Sequence, residues 1–167
     1  LTFTAENIGE GNHSLSFGSN LTVSAATVYY GENGNISDIK ASDGILHYKD
    51  VNGTKYDGLG VRHSEVDMTL KGGNDSYAQG GRFNEINYSQ GDNSSEAIVL
   101  DLNGNIAYGL NIGLSNFFGG GGEASEKALF TFYLNGEIVD VQELTSSQQS
   151  GLVNGTFNSV TAGFDKV

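Results

Sequence analysis

The chain has no cysteine, no proline and no tryptophan among its 167 residues. Without cysteine, neither a disulfide framework nor a thiolate metal site is available, so bound metal ions are the expected substitute for cross-links. No apolar run approaches the roughly 18 to 20 residues that span a bilayer, which predicts no membrane insertion. No signal peptide is visible at Leu1, so we expect a module excised from a longer exported protein.

Basic residues are scarce too: 8 Lys and Arg stand against 20 Asp and Glu, a formal net charge of −12. Nucleic acids and anionic membrane surfaces attract proteins mainly through Lys and Arg, so neither is an expected partner. Net charge alone indicates only a well-solvated surface, but bound divalent cations would neutralise part of it. Abundant Asn, Gly, Ser and Thr favour an extracellular bacterial module.

Long helical periodicity is also missing, and period-two alternation with β-branched and aromatic residues dominates. We therefore predict one all-β domain over residues 1–167, an antiparallel β-sandwich of jelly-roll-like type with calcium-binding loops. The predicted strands are Leu1–Ala5, Leu21–Tyr30, Ile45–Lys49, Val66–Leu70, Ala97–Leu102, Ile106–Leu114, Ala128–Leu134, Glu137–Gln142 and Phe157–Phe164. Only Glu143–Ser150 has a pattern that would allow a helical turn.

Asn-Gly pairs punctuate the strands, and both residue types tolerate the positive φ that tight hairpin turns require. Asn135-Gly136 lies between two apolar segments and predicts a hairpin, and Asn103-Gly104 predicts a second one. Residues 62–83 are polar and glycine-rich, which predicts a loop-rich insertion at one end of the sandwich.

The segment from Asp57 to Asp101 carries eight carboxylates against three basic side chains, between glycine and asparagine turns. Carboxylate and amide oxygens on tight loops suit Ca²⁺, which takes six to eight oxygen ligands. Carbonyls in a predicted Gly58–Val61 turn can join them because glycine has no Cβ to clash. The predicted metal ligands are Asp57, Gly58, Gly60, Glu65, Asp67, Asp75, Glu85, Asn87 and Glu96. Taken singly, each acid is explained equally well as a solvated loop residue.

Signals for catalysis are weak. His63-Ser64-Glu65 contains the residue types of a triad, but a triad is assembled in space and rarely from neighbours in sequence. Neither a nucleophile elbow nor a zinc-binding helix motif accompanies the three histidines. We therefore expect a protein that is not an enzyme.

Three short motifs carry a family resemblance: Gly58–Val61, Asn84–Tyr88 and Ser95–Leu102. They are similar to a pattern of calcium-binding β-sandwich modules in bacterial surface proteins. More narrowly, the chain resembles the calcium-dependent peptide-binding domain of giant RTX adhesins from marine and pathogenic Gram-negative bacteria, including the Vibrio haemagglutinin-type adhesin. The resemblance covers residues 20–165 and is strongest over 57–102. Asn87 stands where the pattern has Asp, which would make that ligand neutral.

The resemblance implies a monomeric, non-catalytic module at the bacterial cell surface. An open coordination position on its Ca²⁺ would accept the C-terminal carboxylate of a peptide or protein on a host or neighbouring cell. Arg82 would add a charged donor to that carboxylate. Tyr77, Phe83 and Tyr88 would line the groove, although core packing of Phe83 and simple exposure of the tyrosines explain them equally well.

Two other functions fit the same architecture. A calcium-dependent, lectin-like carbohydrate-binding module would hold vicinal hydroxyls on the ion and stack a Tyr or Phe on the sugar ring, although tryptophan, a favoured sugar platform, is missing. Alternatively, a structural spacer would use calcium only to stiffen a tandem array. A saturable ligand would separate either binding module from the spacer.

Overall fold

A computed structural model of the chain describes residues 12–41, 44–49, 58–62, 86, 88–89, 93–115, 117, 126–146, 152–158 and 160–167. These residues contain strands and turns but no helix, and therefore no helix long and apolar enough to cross a bilayer. The strands are β1 Ser14–Phe17, β2 Leu21–Tyr30, β3 Ile36–Ala41, β4 Ile45–Lys49, β5 Gly58–Arg62, β6 Tyr88–Ser89, β7 Ser94–Asp101, β8 Leu110–Ser115, β9 Lys127–Leu134, β10 Glu137–Thr145 and β11 Leu152–Phe157.

Antiparallel pairing joins β2 to β3, β6 to β7, β8 to β11 and β9 to β10. The predicted all-β class with antiparallel sheets is therefore confirmed. The chain divides into two compact units, Leu1–Phe17, Thr22–Lys49 and Leu59–Val99 in the first and Gly18–Leu21, Asp50–Gly58 and Leu100–Val167 in the second. The prediction of a single domain with an insertion at 62–83 stays a prediction, because residues 63–85 lie outside the described part.

The first unit is built on a sheet with the order β1-β2-β7-β6, in which β3 also pairs with β2, and on a separate pair formed by β4 and β5. Its buried apolar side chains include Val23 and Val28 on β2, Leu46 on β4 and Val61 on β5. Val23, Leu46 and Val61 are fully buried. Burial on β2 alternates from Leu21 to Ala25, as on a strand with one face on the core, and is continuous from Ala25 to Val28, where both faces are covered.

Asn93 fixes the beginning of β7 against the end of β2. Its backbone has φ 48°, a left-handed conformation that Asn adopts more readily than most residues. Its Nδ2 donates to the Tyr30 carbonyl at 2.9 Å, and the Tyr30 N–H donates to the Asn93 carbonyl at 2.9 Å. These two hydrogen bonds hold the start of β7 beside the end of β2 and so fix which side chains of β7 point into the unit.

The second unit has a core between two two-stranded sheets, β9–β10 and β8–β11. Phe130 and Phe132 of β9 meet Phe157 of β11, with ring centroids 4.7 and 5.8 Å apart. Phe164 closes the cluster at 5.0 Å from Phe132. The tilted and edge-on ring arrangements are those that aromatic quadrupoles favour. Face-to-face packing of the two sheets is the local geometry of a sandwich.

The predicted Asn135-Gly136 hairpin is confirmed: φ is 53° at Asn135 and 85° at Gly136, and β9 pairs with β10 on either side. A register shift between Ile138 and Asp140 marks a β-bulge. The extra residue, Val139, packs against the aromatic core. Bulges of this kind redirect side chains and interrupt pairing at sheet edges.

The segment 164–167 lies between two other parts of the second unit and bonds to both. Val167 exchanges backbone hydrogen bonds with Leu100 at 2.8 and 3.0 Å, while the Lys166 carbonyl accepts the Tyr133 N–H at 2.8 Å. Lys166 therefore pairs with Asp101 on one side and with Tyr133 on the other. Residues that pair directly across a sheet share a face, so these three side chains form one row.

Several predicted boundaries were wrong. Strand β8 begins at Leu110 rather than at residue 106, and β11 ends at Phe157, where a strand was predicted to begin. Residues 160–163 form a turn instead, closed by the Gly163 N–H donating to the Val160 carbonyl at 2.8 Å. The predicted helical turn is also wrong over residues 143–145, which belong to β10.

The predicted second hairpin is a turn without strand pairing on its two sides. Asn103 and Gly104 do have positive φ, 51° and 83°. Among the described strands, however, β7 pairs with β2 and β6, and β8 pairs with β11. The turn residues were read correctly from the sequence, but pairing is decided by the rest of the sheet.

Candidate functional site

Of the predicted metal ligands, the structure describes Gly58, Gly60 and Glu96. The others, Asp57, Glu65, Asp67, Asp75, Glu85 and Asn87, lie outside the described residues, as do the predicted ligand contacts Arg82, Tyr77 and Phe83. Of Tyr88, the structure gives the backbone, which pairs with Ser95 in the short ladder between β6 and β7. The calcium site as a whole therefore stays a prediction, and its described part centres on β7.

Glu96 is a carboxylate on the inward face of β7, with only 1 % of its surface exposed. The strand alternates: Ser94 and Glu96 are buried, while the residues between and after them are half-buried. An ionised carboxylate in such a place is costly unless a cation or hydrogen-bond donors compensate it. Glu96 does have interaction partners, so it is an integrated part of the first unit rather than a loop acid facing water.

Other polar side chains are buried in the first unit. Thr27 on β2 is 2 % exposed, His47 on β4 is 7 % exposed, and Ser94 is 2 % exposed. No metal-binding motif surrounds His47 in the sequence, and no motif singles out Thr27 or Ser94. The signal that could have identified them is a polar residue at a strand position whose side chain points into the core, because a buried polar group must find a hydrogen-bond partner there.

The predicted Gly58–Val61 turn is wrong, because these residues form strand β5, which pairs with β4. At Gly58, a Cβ atom would collide with the Ser115 hydroxyl of β8. Close approach of the Ser115 side chain therefore requires a glycine here, and the role of the Gly58 carbonyl as a metal ligand stays a prediction. Gly60 is buried and precedes the fully buried Val61.

Asp101, a further acid of the predicted calcium segment, binds within the protein. Its Oδ2 lies 3.0 Å from the Lys166 ammonium, and its Oδ1 accepts the Asn103 N–H at 2.9 Å. Burial would raise the pKa of Asp101, but the Asn103 N–H and the Lys166 ammonium outweigh it and hold that pKa below its usual value. Each carboxylate oxygen of Asp101 is thus engaged by a group of the protein itself.

Among the described residues, no group of three or more His, Asp or Glu side chains is arranged to hold a metal ion. A calcium ion needs six to eight oxygens, so Glu96 would supply one of them and the remaining ligands would have to come from the loop acids named above. Comparisons with known protein families, curated proteins and solved structures find no match for this chain.

Proposed function

We propose that the protein is a non-catalytic, calcium-dependent peptide-binding module of a bacterial surface adhesin. In this proposal Ca²⁺ braces the first unit and offers an open coordination position to the C-terminal carboxylate of a peptide on a host or neighbouring cell. Glu96 holds the ion from β7, and the loop acids complete its shell. The module acts outside the cell, as a monomer within a longer exported protein.

The observation that carries this proposal is the burial of Glu96. It places one acid of the predicted calcium segment on the inward face of a strand, in a chain with 20 acidic residues against 8 basic ones. A bound divalent ion would offset part of that negative charge and would also let an acidic protein bind an anionic group. Glycine and asparagine turns on either side of β7 are the kind of loops from which calcium ligands are drawn.

The first test compares thermal unfolding in calcium and in excess EGTA. With free calcium at about 100 times its Kd, ligand linkage predicts a stabilisation of about 2.7 kcal/mol. The variant Glu96→Gln should lose most of this response, whereas Glu137→Gln, at an exposed position of the β9–β10 hairpin, should keep it. An EGTA-independent melting temperature in the unmodified protein would contradict the proposal.

The second test addresses the ligand. A pair of peptides that differ only in a free or an amidated C-terminus should bind with very different affinity, because the amide cannot enter the coordination shell as an anion. EGTA should abolish binding of the free acid. Equal binding of the two peptides would exclude capture of the carboxylate by the ion.

Carbohydrate binding is kept as a second candidate because of one exposed aromatic ring. Tyr108 is 61 % exposed, and its Cε1 lies close to Gly163, 3.0 Å from where a Cβ would stand. An exposed ring of this kind offers an apolar face on which a sugar could stack. Direct binding of fucose or glucose that is lost in Tyr108→Ala would favour this candidate.

A further inference from the structure

Strand β10 has an open edge in the part of the chain that the structure describes. It pairs with β9 on one side, and none of the other described strands pairs with it. In an antiparallel pair, alternate residues direct their backbone N–H and C=O toward the partner and away from it. The Ser146 N–H donates to the Glu126 carbonyl at 2.9 Å, which extends the register of Thr145 with Lys127. The backbone N–H and C=O groups of the even-numbered residues of β10 after the bulge therefore point toward β9.

The odd-numbered residues Val141, Glu143 and Thr145 consequently direct their backbone groups to the open edge. The Val141 N–H bears this out, because it donates to the Asp140 side chain at 2.9 Å rather than to β9. The N–H groups of Glu143 and Thr145 have no hydrogen-bond acceptor among the described residues. An edge with free N–H and C=O groups is a template for a further strand.

The side chains at this edge indicate which strand it would accept. On one face, Val141 and Ile138 are 51 % and 52 % exposed and Leu129 of β9 is 44 % exposed, so apolar side chains lie next to the edge, beside the carboxylate of Glu143, which pairs with Leu129. On the other face, the Asp140 carboxylate accepts two hydrogen bonds. The Val141 backbone N–H donates one at 2.9 Å, and the Gln142 side-chain amide donates the other at 2.6 Å. Strand β10 contains the acids Glu137, Asp140 and Glu143 and no basic residue.

These charges disfavour pairing of β10 with the β10 of a second copy, because it would bring acids together without compensating bases. They favour a basic strand, and the net charge of −12 would attract such a peptide over longer distances. The Lys127–Glu143 ion pair, 3.0 Å long and exposed, does not prevent this, because exposed pairs of this kind contribute little.

We propose that the edge of β10 from Val141 to Thr145 binds an extended basic peptide as an additional strand. Apolar side chains of the peptide would lie on the face of Val141, and lysines would lie on the face of Asp140. Main-chain hydrogen bonds to Glu143 and Thr145 would supply the pairing, as in other cases of strand addition. This mode needs neither calcium nor a peptide carboxylate, so it stands or falls separately from the proposed function.

The test uses the heptapeptide acetyl-Lys-Val-Lys-Val-Lys-Val-Lys-amide in EGTA, which excludes binding through calcium and a free carboxylate. In the free protein the amide hydrogens of Glu143 and Thr145 should exchange rapidly, and peptide should protect both. The matched peptide with glutamate in place of lysine should not. If saturating basic peptide leaves these two amides unprotected, or if they become protected at high protein concentration without peptide, the proposal is wrong.

Affinity measurements add a backbone control. Glu143→Pro removes an N–H that makes no bond in the described structure, and proline is tolerated at such edge positions. It should weaken the basic heptapeptide about tenfold, the effect expected from losing one or two main-chain hydrogen bonds. Glu143→Gln keeps the N–H and removes one of the three acids of β10, so it should weaken the basic heptapeptide less than the proline does, by up to about threefold. Equal binding by a folded Glu143→Pro variant would overturn the pairing geometry.

Discussion

Substitution of Gly163 gives a quantitative test of how the turn over residues 160–163 packs in the second unit. Its φ is +75°, a conformation that costs alanine about 1–2 kcal/mol. A Cβ at this position would also lie 2.6 Å from the Cγ2 of Ile106 and 3.0 Å from the Cε1 of Tyr108. Forcing a methyl group into such a contact typically costs a further 1–3 kcal/mol. We therefore expect Gly163→Ala to destabilise the protein by about 2–5 kcal/mol.

Gly136 is the matched control, because it separates the two costs. Its φ is +85°, but a Cβ there would meet nothing within 4 Å. Gly136→Ala should therefore cost only the conformational part, about 1–2 kcal/mol. Both substitutions reduce the freedom of the unfolded chain by the same amount, so that effect cancels in the comparison. The remaining difference, about 1–3 kcal/mol, measures the steric contact.

Urea unfolding of the two variants, with equal m-values as the check on two-state behaviour, gives the free energies directly. Ile106→Ala removes the nearest contact atom and exposes little new surface, because Ile106 is already 53 % exposed. In that background the cost of Gly163→Ala should fall toward that of Gly136→Ala. Equal costs for the two glycines, or no relief in the Ile106→Ala background, would refute the packing of the turn against Ile106.

Further predictions concern the same unit. Phe132→Ala should cost about 3–5 kcal/mol by urea unfolding, because Phe132 is fully buried between two other rings; Leu129→Ala, at an exposed position of the same strand, should cost much less. The buried Tyr133 hydroxyl has no hydrogen-bond partner in the described structure, so Tyr133→Phe should stabilise by about 1 kcal/mol. Burial raises the pKa of Tyr133. The free energy of unfolding is therefore unaffected by this group below pH about 10 and falls as pH rises from there through the folded pKa. Tyr133→Phe should remove this alkaline loss of stability. The pKa of Asp101 is lowered, so Asp101→Asn should reduce the stability lost as pH falls from about 4 through the folded pKa.

The strands that could be predicted from the sequence are those in which alternation and burial agree. Leu21–Tyr30 and Ile45–Lys49 were predicted with the bounds that β2 and β4 have. Strand β3 was missed, because Ile36–Ala41 mixes two isoleucines with Asp38 and Lys40, and its described side chains are mostly exposed. It is a strand because β2 offers it an edge, and that tertiary context is invisible in a local pattern.

The predicted Phe157–Phe164 strand failed for a related reason. Phe157, Val160 and Phe164 are all buried in one cluster, so the apolar residues were identified correctly. The backbone between Val160 and Phe164 reaches the core through a turn rather than through a strand. Hydrophobicity predicts burial more directly than it predicts backbone conformation, and a positive φ at a glycine is enough to separate the two.

The acids of the predicted calcium segment show where sequence reasoning about a site stops. Glu96 and Asp101 lie on the same strand, and both belong to the acidic segment in which a calcium site is predicted. The structure buries Glu96 and gives Asp101 a lysine partner across the sheet. The register of β7 decides this, because a shift by one residue would exchange the faces of its side chains. The sequence identifies the strand, whereas the neighbouring strands select the face.

The open edge of β10 depends on a feature that no periodic reading of its sequence contains. Val139 and Leu144 both pack on the core, although an unbroken strand places residues an odd number apart on opposite faces. The bulge between Ile138 and Asp140 resolves this conflict, because Val139 is the extra residue and the alternation restarts after it. The same shift directs the Val141 backbone N–H away from β9, where the Asp140 carboxylate binds it. The bulge thus both fills the core and determines which backbone groups remain available for another strand.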